Sequence, residues 1–329
     1  MQEVNAHAVS NGVFDKLDNA FKNFFEKRAK YPRFKSKRDK QSFRLPGSEI
    51  KYDTQNKRVY ICRIGWLKMR ETIRFDYTKI YRITVSCRAG KWYVAFTLEV
   101  VDDRQLGENQ ALTSVGIDLG INKSATCSDG TILDNPRIFN TYAVRLRKLN
   151  KELARRTKGG RNWWKTVFKL QKLHARIADL RQDYIHKFTT AINRKYGIVC
   201  LEDLNVKGMS RNHKLARHIL DVSFGEIRRQ FEYKALEVRY VPRFFPSSKR
   251  CSSCGREQEM PLSQRRYVCD CGLDLDRDLN AAINIRTFAV SSTGSKKPAV
   301  KTAQVLSKGK TKQSHGQEEN SVFAVRRNV

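Results

Sequence analysis

The segment KRCSSCGREQEMPLSQRRYVCDCGLDLDRDLNAAINI, residues 249–285, constrains this chain more than any other. Cys251 and Cys254 form a C-x-x-C knuckle, and after fourteen intervening residues Cys269 and Cys271 supply a tighter C-x-C pair. Each knuckle lets two thiolates reach one ion, while Gly255 and Gly272 accommodate the turns, which is the pattern of a tetrahedral, four-cysteine zinc ribbon. Four sulfur ligands leave no open coordination position, so Zn2+ here is expected to be structural. Directly downstream, Asp274, Asp276 and Asp278 lead into Leu279-Asn280-Ala281-Ala282, the small-residue start of a helix.

Charge narrows the partner. The 329-residue chain has a formal net charge of +32, whereas solubility of a small domain needs roughly 2 to 8. Such an excess points to a polyanion. The basic residues spread over every segment instead of lining one amphipathic helix, which favours nucleic acid over a membrane surface. No apolar run approaches the ~18 residues of a membrane span. The opening residues MQEVNAHAVSNGVFDKL lack a basic stretch followed by an apolar core, so no secretory signal is read. The expectation is a cytoplasmic, nucleoid-associated protein with no membrane partner. Its eight cysteines then do not form a disulfide framework. Cys62, Cys87, Cys127 and Cys200 stand singly in strand-like contexts and read as buried structural thiols.

Along the chain, Val13, Leu17, Phe21 and Phe24 recur at helical spacing and predict a helix from Asn11 to Lys30, stopped before Tyr31-Pro32. A basic linker, RFKSKRDKQSF, follows. From Ser42 to Val101 the apolar period changes to two, with a hairpin turn at Ala89-Gly90, and predicts a small antiparallel β-barrel. SVGIDLGINKSATCSDG then reads as a hairpin with Asp118 in mid-strand, an unusual place for an acid without a use. Two long helices are expected between Thr141 and Lys195, broken at Gly159-Gly160. Their faces carry Arg155, Arg156, Lys158, Arg161, Lys165, Lys169 and Arg176, with Trp163 and Trp164 at the hairpin, which suits phosphate contacts beside an aromatic platform. Packing at the hairpin tip is the alternative for the two tryptophans. Ile198–Leu201 reads as an apolar strand ending at Glu202, and Leu236–Val241 as another, preceded by a helix over Ser223–Ala235. Beyond Ala289 the polar, Lys-rich sequence predicts a disordered tail.

Three acids are candidates for chemistry. Asp118 lies in a strand, Glu202 ends one and Asp278 opens a helix. Taken singly, a helix-start Asp is an N-cap and a strand-end Glu is solvated. Taken together, they are the oxygen ligands that a two-metal phosphodiester hydrolase needs to hold two Mg2+ ions.

GIDLGINKSAT, LEDLNVKGM and CGLDLDRDLNAAINI resemble the three RuvC motifs of the transposon-encoded TnpB (OrfB) proteins, relatives of the type V CRISPR effector nucleases. HARIADLRQDYIHKFTT, SFGEIRRQFEYKA and FKNFFEKRAKYPRFKSKRDKQSFRLP resemble other parts of that family, so the similarity covers about residues 10 to 287. The resemblance implies an α+β multidomain protein with an RNase H-like (RuvC) nuclease core. The implied divisions are a partial helical recognition segment (1–40), a wedge-like β-barrel (41–110), and the core (111–248) with a basic helical insertion (141–196). A zinc ribbon (249–273), a C-terminal RuvC helix (274–288) and a tail (289–329) follow. It implies a Mg2+-dependent, RNA-guided DNA endonuclease, often labelled a transposase, with a guide RNA from the transposon end and a double-stranded DNA target. On the family pattern the catalytic, magnesium-binding acids are Asp118, Glu202 and Asp278. Asp276 competes for the third place, and Asn280, two residues beyond Asp278, favours Asp278. Relatives begin with a further strand and helical segment, and this sequence enters the family pattern near the last recognition helix, so it reads as N-terminally short. A non-cleaving nucleic-acid-binding regulator derived from such a nuclease is the other reading.

Overall fold

The computed structural model describes residues 6–34, 41–62, 64–73, 76–100, 113–261, 263–291, 296–298 and 320–325. In chain order the elements are α1 (Ala6–Phe25), β1 (Ser42–Pro46), β2 (Ile50–Asp53), β3 (Arg58–Ile61), β4 (Gly65–Lys68), β5 (Tyr77–Arg88) and β6 (Lys91–Val100). Then come β7 (Ser114–Asp118), β8 (Lys123–Cys127), β9 (Ile132–Asp134), α2 (Ile138–Ala154), α3 (Arg161–Lys195), β10 (Ile198–Glu202) and the short α4 (Val206–Met209). The last are α5 (His213–Val222), α6 (Phe224–Lys234), β11 (Glu237–Val241), β12 (Arg266–Val268), β13 (Asp274–Asp276), α7 (Arg277–Ser291), β14 (Lys296–Pro298) and β15 (Asn320–Val325). No helix is long and apolar enough to cross a membrane among the described residues.

Two compact units divide the chain: residues 1–104, 156–175 and 315–329 form one, and 105–155 with 176–314 the other. In the first, β1, β5, β6 and β15 form one antiparallel sheet and β2, β3 and β4 a second. Leu45, Val59, Ile61, Ile83, Val85, Val94 and Phe96 from both sheets share one core. The antiparallel unit expected between 42 and 101 is therefore built as two sheets. Its hairpin turns at Ala89 (φ 51°) and Gly90 (φ 77°) as the sequence suggests. Residues 156–175, the tip of the helical insertion, group with this unit. Phe168 packs on Gly90 so closely that a Cβ there would lie 2.9 Å from a ring carbon, and Arg88 donates to the carbonyl of Ala175 at 3.4 Å.

Helix α1 ends at Phe25, five residues before the expected Lys30. Lys27 turns to positive φ (56°), and the amides of Arg28 and Ala29 bond back to the carbonyl of Asn23 at 2.8 and 3.0 Å, a left-handed helix stop. Tyr31 then folds back edge-on to Phe21 and Phe24.

The second unit is a six-stranded mixed sheet in the order β14-β11-β10-β7-β8-β9. Strands β7, β10 and β11 are parallel, with Ile117 opposite Leu201 and Leu201 opposite Tyr240. Period-two alternation sorts their side chains. Val115, Ile117, Val199, Leu201, Val238 and Tyr240 enter a core shared with Ile185, Phe188, Phe224, Ile227 and Phe231. Cys200 and Val241 point the other way, into a cluster with Ile285 and Ala289 of α7. Gly116 lets α7 lie against the sheet, because a Cβ there would fall on the carbonyl oxygen of Ala282 and 2.6 Å from the amide nitrogen of Arg286.

The tail corrects an expectation. Helix α7 runs to Ser291, Lys296–Pro298 pairs with β11, and Asn320–Val325 pairs with β6. NSVFAV, with Val322, Phe323 and Val325, suits an added edge strand, and the Lys-rich composition ahead of it hid it. The rest of that tail, the middle of the basic linker (35–40) and residues 101–112 lie outside the described residues.

Candidate active site

The alternation that buries Val115, Ile117, Val199 and Leu201 turns Asp118 and Glu202 to the face covered by α7. Since Ile117 stands opposite Leu201, one further residue brings Asp118 beside Glu202 at the carboxyl ends of two parallel strands. Asp118 is thus the last residue of β7, not a mid-strand residue as expected. Helix α7 begins over the same edge and carries Asp278 in its first turn.

The three acids feel one another. Burial, then the charges of Glu202 and Asp278, with Arg277 opposing and Asp276 adding, push the Asp118 carboxyl up to about 8. Burial also raises Glu202, against which the Ser247 hydroxyl works by donating to its Oε1 at 2.5 Å. Asp278 has Arg277 at 3.6 Å and a side chain only 20% exposed.

Asp276 and Asp278 differ in employment. Asp276 Oδ1 accepts from the amides of Asp278 (2.9 Å) and Leu279 (3.2 Å), which makes it the N-cap of α7. Its Oδ2 accepts from Lys123 Nζ at 2.8 Å. Burial works against ionisation there, but Lys123 and the two amides hold the Asp276 carboxyl below its ordinary range. Both Asp276 oxygens are committed to structure, and the charge of the acid two residues on is the one that bears more heavily on Asp118.

The other carboxylate of the LED sequence faces away. Asp203 is clamped by Arg228 at 2.8 Å and Arg243 at 3.2 Å, and its carbonyl accepts from Arg243 at 3.1 Å.

Cys251, Cys254, Cys269 and Cys271 bring their sulfurs within 4.8 Å of one another. Tetrahedral zinc with Zn–S of about 2.3 Å sets sulfurs about 3.8 Å apart. The Cys251–Cys271 and Cys254–Cys269 separations are 3.6 and 3.7 Å, so the cluster can hold a zinc ion. Gly255 (φ 79°) and Gly272 (φ 91°) follow the two knuckles in the left-handed region, the conformation that favours glycine. Beneath the cluster, buried Tyr267 donates to the carbonyls of Lys249 and Arg256.

The ribbon is tied to α7 by two buried asparagines. Asn280 donates to the carbonyl of Arg250 at 2.7 Å and accepts from the amide of Ser252 at 2.9 Å. Asn284 donates to the carbonyls of Ser247 (2.9 Å) and Arg250 (2.6 Å).

A family profile described as "Probable transposase" (OrfB_IS605) matches residues 96–213, and one described as "Cas12f1-like, TNB domain" matches 224–285. Over 290 residues the chain is 36% identical to "Putative RNA-guided DNA endonuclease InsQ" of Escherichia coli (strain K12), covering 82% of this chain and 71% of that protein. A Streptomyces pristinaespiralis protein named "Putative RNA-guided DNA endonuclease" is 36% identical over 293 residues, covering 84% and 70%. The chain belongs to the TnpB (OrfB) family. Its fold also resembles a Cas12f1 chain from a cryo-EM structure of a Cas12f1–sgRNA–target DNA complex. That likeness has a TM-score of 0.51 at 16% identity and covers 85% of this chain and 71% of the other. The TnpB fold is accordingly mixed α and β, with the Cys cluster inside the part that matches the TNB profile.

In this TnpB-family chain the basic residues picked from sequence fall as follows. Arg155, Lys158, Arg161, Lys165, Lys169 and Arg176 are exposed, while Arg156 and Trp163 are half-buried. Arg156 donates to the carbonyl of Asn162 at 2.5 Å. Trp163 meets Trp164 edge-on at 4.7 Å, so part of its ring packs at the hairpin. Sequence reasoning missed Ser247, Lys123, Asn284 and the capping role of Asp276. The SS pair ahead of Cys251 and the asparagines at 280 and 284 were visible as residues, but no spacing rule links them to Glu202.

Proposed function

We propose that this protein is a metal-dependent, RNA-guided DNA endonuclease. Asp118, Glu202 and Asp278 would hold the catalytic metal. The observation that carries the proposal is the convergence of three acids from β7, β10 and α7 on one partly buried spot, where burial and then the charges of Glu202 and Asp278 push Asp118 up to about 8. Carboxylates so crowded repel one another, and hard divalent cations with oxygen ligands relieve that repulsion. The donor set fits Mg2+ and offers no sulfur or imidazole for a softer ion. Two magnesium ions, when bound, activate the attacking water and stabilise the leaving oxygen of an in-line phosphodiester hydrolysis.

The chain's own groups supply the rest. The carboxyl ends of the parallel strands hold Asp118 and Glu202, and the Asp276 cap sets the start of α7 and so the position of Asp278. The sheet order, with α7 across parallel β7, β10 and β11, supports an RNase H-like (RuvC) core for this unit. The two-sheet unit is consistent with the wedge-like role that the family pattern assigns. We assign zinc to the four cysteines as a structural ion, since all four positions are sulfur. Sequence selection would come from pairing between target DNA and a guide RNA transcribed at the transposon end. The exposed cations of α3 and its hairpin would follow the phosphate backbone.

Purification of the full chain with its co-expressed transposon end tests this. RNA that copurifies, and that directs Mg2+-dependent cutting of a matching duplex, supports the proposal. Copurifying RNA with no cutting under any divalent cation overturns it in favour of a nucleic-acid-binding regulator.

A further inference from the structure

Glu202 and Asp278 sit on separate elements, and nothing in β10 itself fixes where the Glu202 carboxylate points. The loop between β11 and the Cys ribbon does. Ser247 is 6% exposed, and its hydroxyl donates to Glu202 Oε1 at 2.5 Å. A hydroxyl bond to a carboxylate is among the stronger neutral-to-charged hydrogen bonds. It occupies one oxygen and leaves Oε2 for another task.

Ser247 is itself held from the helix that carries Asp278. Its carbonyl accepts from Asn284 Nδ2 at 2.9 Å, and the same Nδ2 reaches the carbonyl of Arg250 at the ribbon's root. The amide of Ser247 bonds to the carbonyl of Phe245 at 2.8 Å, and the Phe245 ring lies 4.4 Å from that of Phe288 on α7. These contacts lock one loop residue to α7 and β10 together.

We propose that Ser247 is a positioning residue for Glu202, held by Asn284, and that it sets the Glu202 carboxylate against Asp278 on α7. The inference rests on Glu202 being a metal ligand. Groups that orient ligands in this way change metal affinity or activity by about 10–100-fold when removed. Through the same asparagine the folded ribbon sets the geometry of an acid it does not touch.

The test uses the full chain with its RNA and three variants: Ser247→Ala, Ser247→Thr and Glu202→Gln. Mn2+ affinity is read by electron paramagnetic resonance, the Mg2+ concentration for half-maximal cleavage by kinetics, and folding by thermal melting. The expected result is that Ser247→Ala weakens Mn2+ binding and raises the Mg2+ requirement about 10–100-fold with a near wild-type Tm. Ser247→Thr, which keeps the hydroxyl, recovers most of both. Should the Ala variant not fold, Ser247→Cys, similar in size with a weak donor, is read in its place and is expected to fall between. Wild-type Mn2+ affinity and Mg2+ dependence in Ser247→Ala, with Glu202→Gln inactive, overturns the positioning role. Wild-type cutting and Mn2+ binding by Glu202→Gln overturns instead the assignment of Glu202 as a ligand.

Discussion

Replacing Asp118 by Asn should stabilise the metal-free protein while destroying its activity, and the gain should grow with pH. Folding raises the Asp118 carboxyl from 3.8 to about 8, so the folded state holds a proton that the unfolded chain has lost. Stability therefore falls as pH rises from about 4 to about 8, and levels off above the folded value. At ~1.4 kcal/mol per unit the ceiling is about 6 kcal/mol. Water at the cluster's rim and relaxation of the carboxylates cut this to an effect on the order of 2 kcal/mol. For a unit of this size that is a Tm difference of roughly 4–8 °C. The assay is thermal melting of wild type and Asp118→Asn after chelation, from pH 4 to 9. The two curves should nearly meet at the acid end and part toward pH 8. Saturating Mg2+ should then raise wild type and leave the variant almost unmoved. A separation that stays constant from pH 4 to 8 would refute the placing of Asp118 in a crowded, desolvated acid cluster.

The paired acids of α7 should separate cleanly. Asp276→Asn weakens the cap and the Lys123 ion pair, costs about 1 kcal/mol by thermal melting, and retains cleavage. Asp278→Asn leaves Tm near wild type and abolishes cleavage in a plasmid assay. Cys251→Ser should lower bound zinc from one ion per chain toward none by mass spectrometry, and lower Tm with it. Replacing Lys165 and Lys169 by Glu should weaken RNA binding uniformly across sequences and reduce the salt slope by about 1 for each phosphate no longer neutralised.

The parts that could be read in advance are those whose logic is local. The knuckles of Cys251/Cys254 and Cys269/Cys271 follow from near-neighbour spacing and glycine turns, and their sulfurs do meet. Period-two alternation identified β6 and the hairpin at Ala89-Gly90, while the break at Gly159-Gly160 separated α2 from α3. The meeting of Asp118 with Glu202 depends on strand register between segments far apart in sequence, and spacing carries no trace of it. That pairing came from motif resemblance, and register then explains it. Helix α4 escaped notice because LNVKGM is short and holds a glycine, whereas α5 was legible, since Leu215, Ile219 and Val222 recur at helical spacing. Asn280 favours Asp278 over Asp276 in the sequence, whereas the capping of α7 by Asp276 is a one-turn detail finer than a sequence pattern can resolve.

The most direct measurement is single-turnover cleavage of a guide-matched duplex by wild type and by Asp118→Ala, both with copurified RNA and Mg2+. The account predicts cutting by wild type, none by Asp118→Ala, and equal RNA and DNA binding by the two. Equal cutting by both proteins would contradict it.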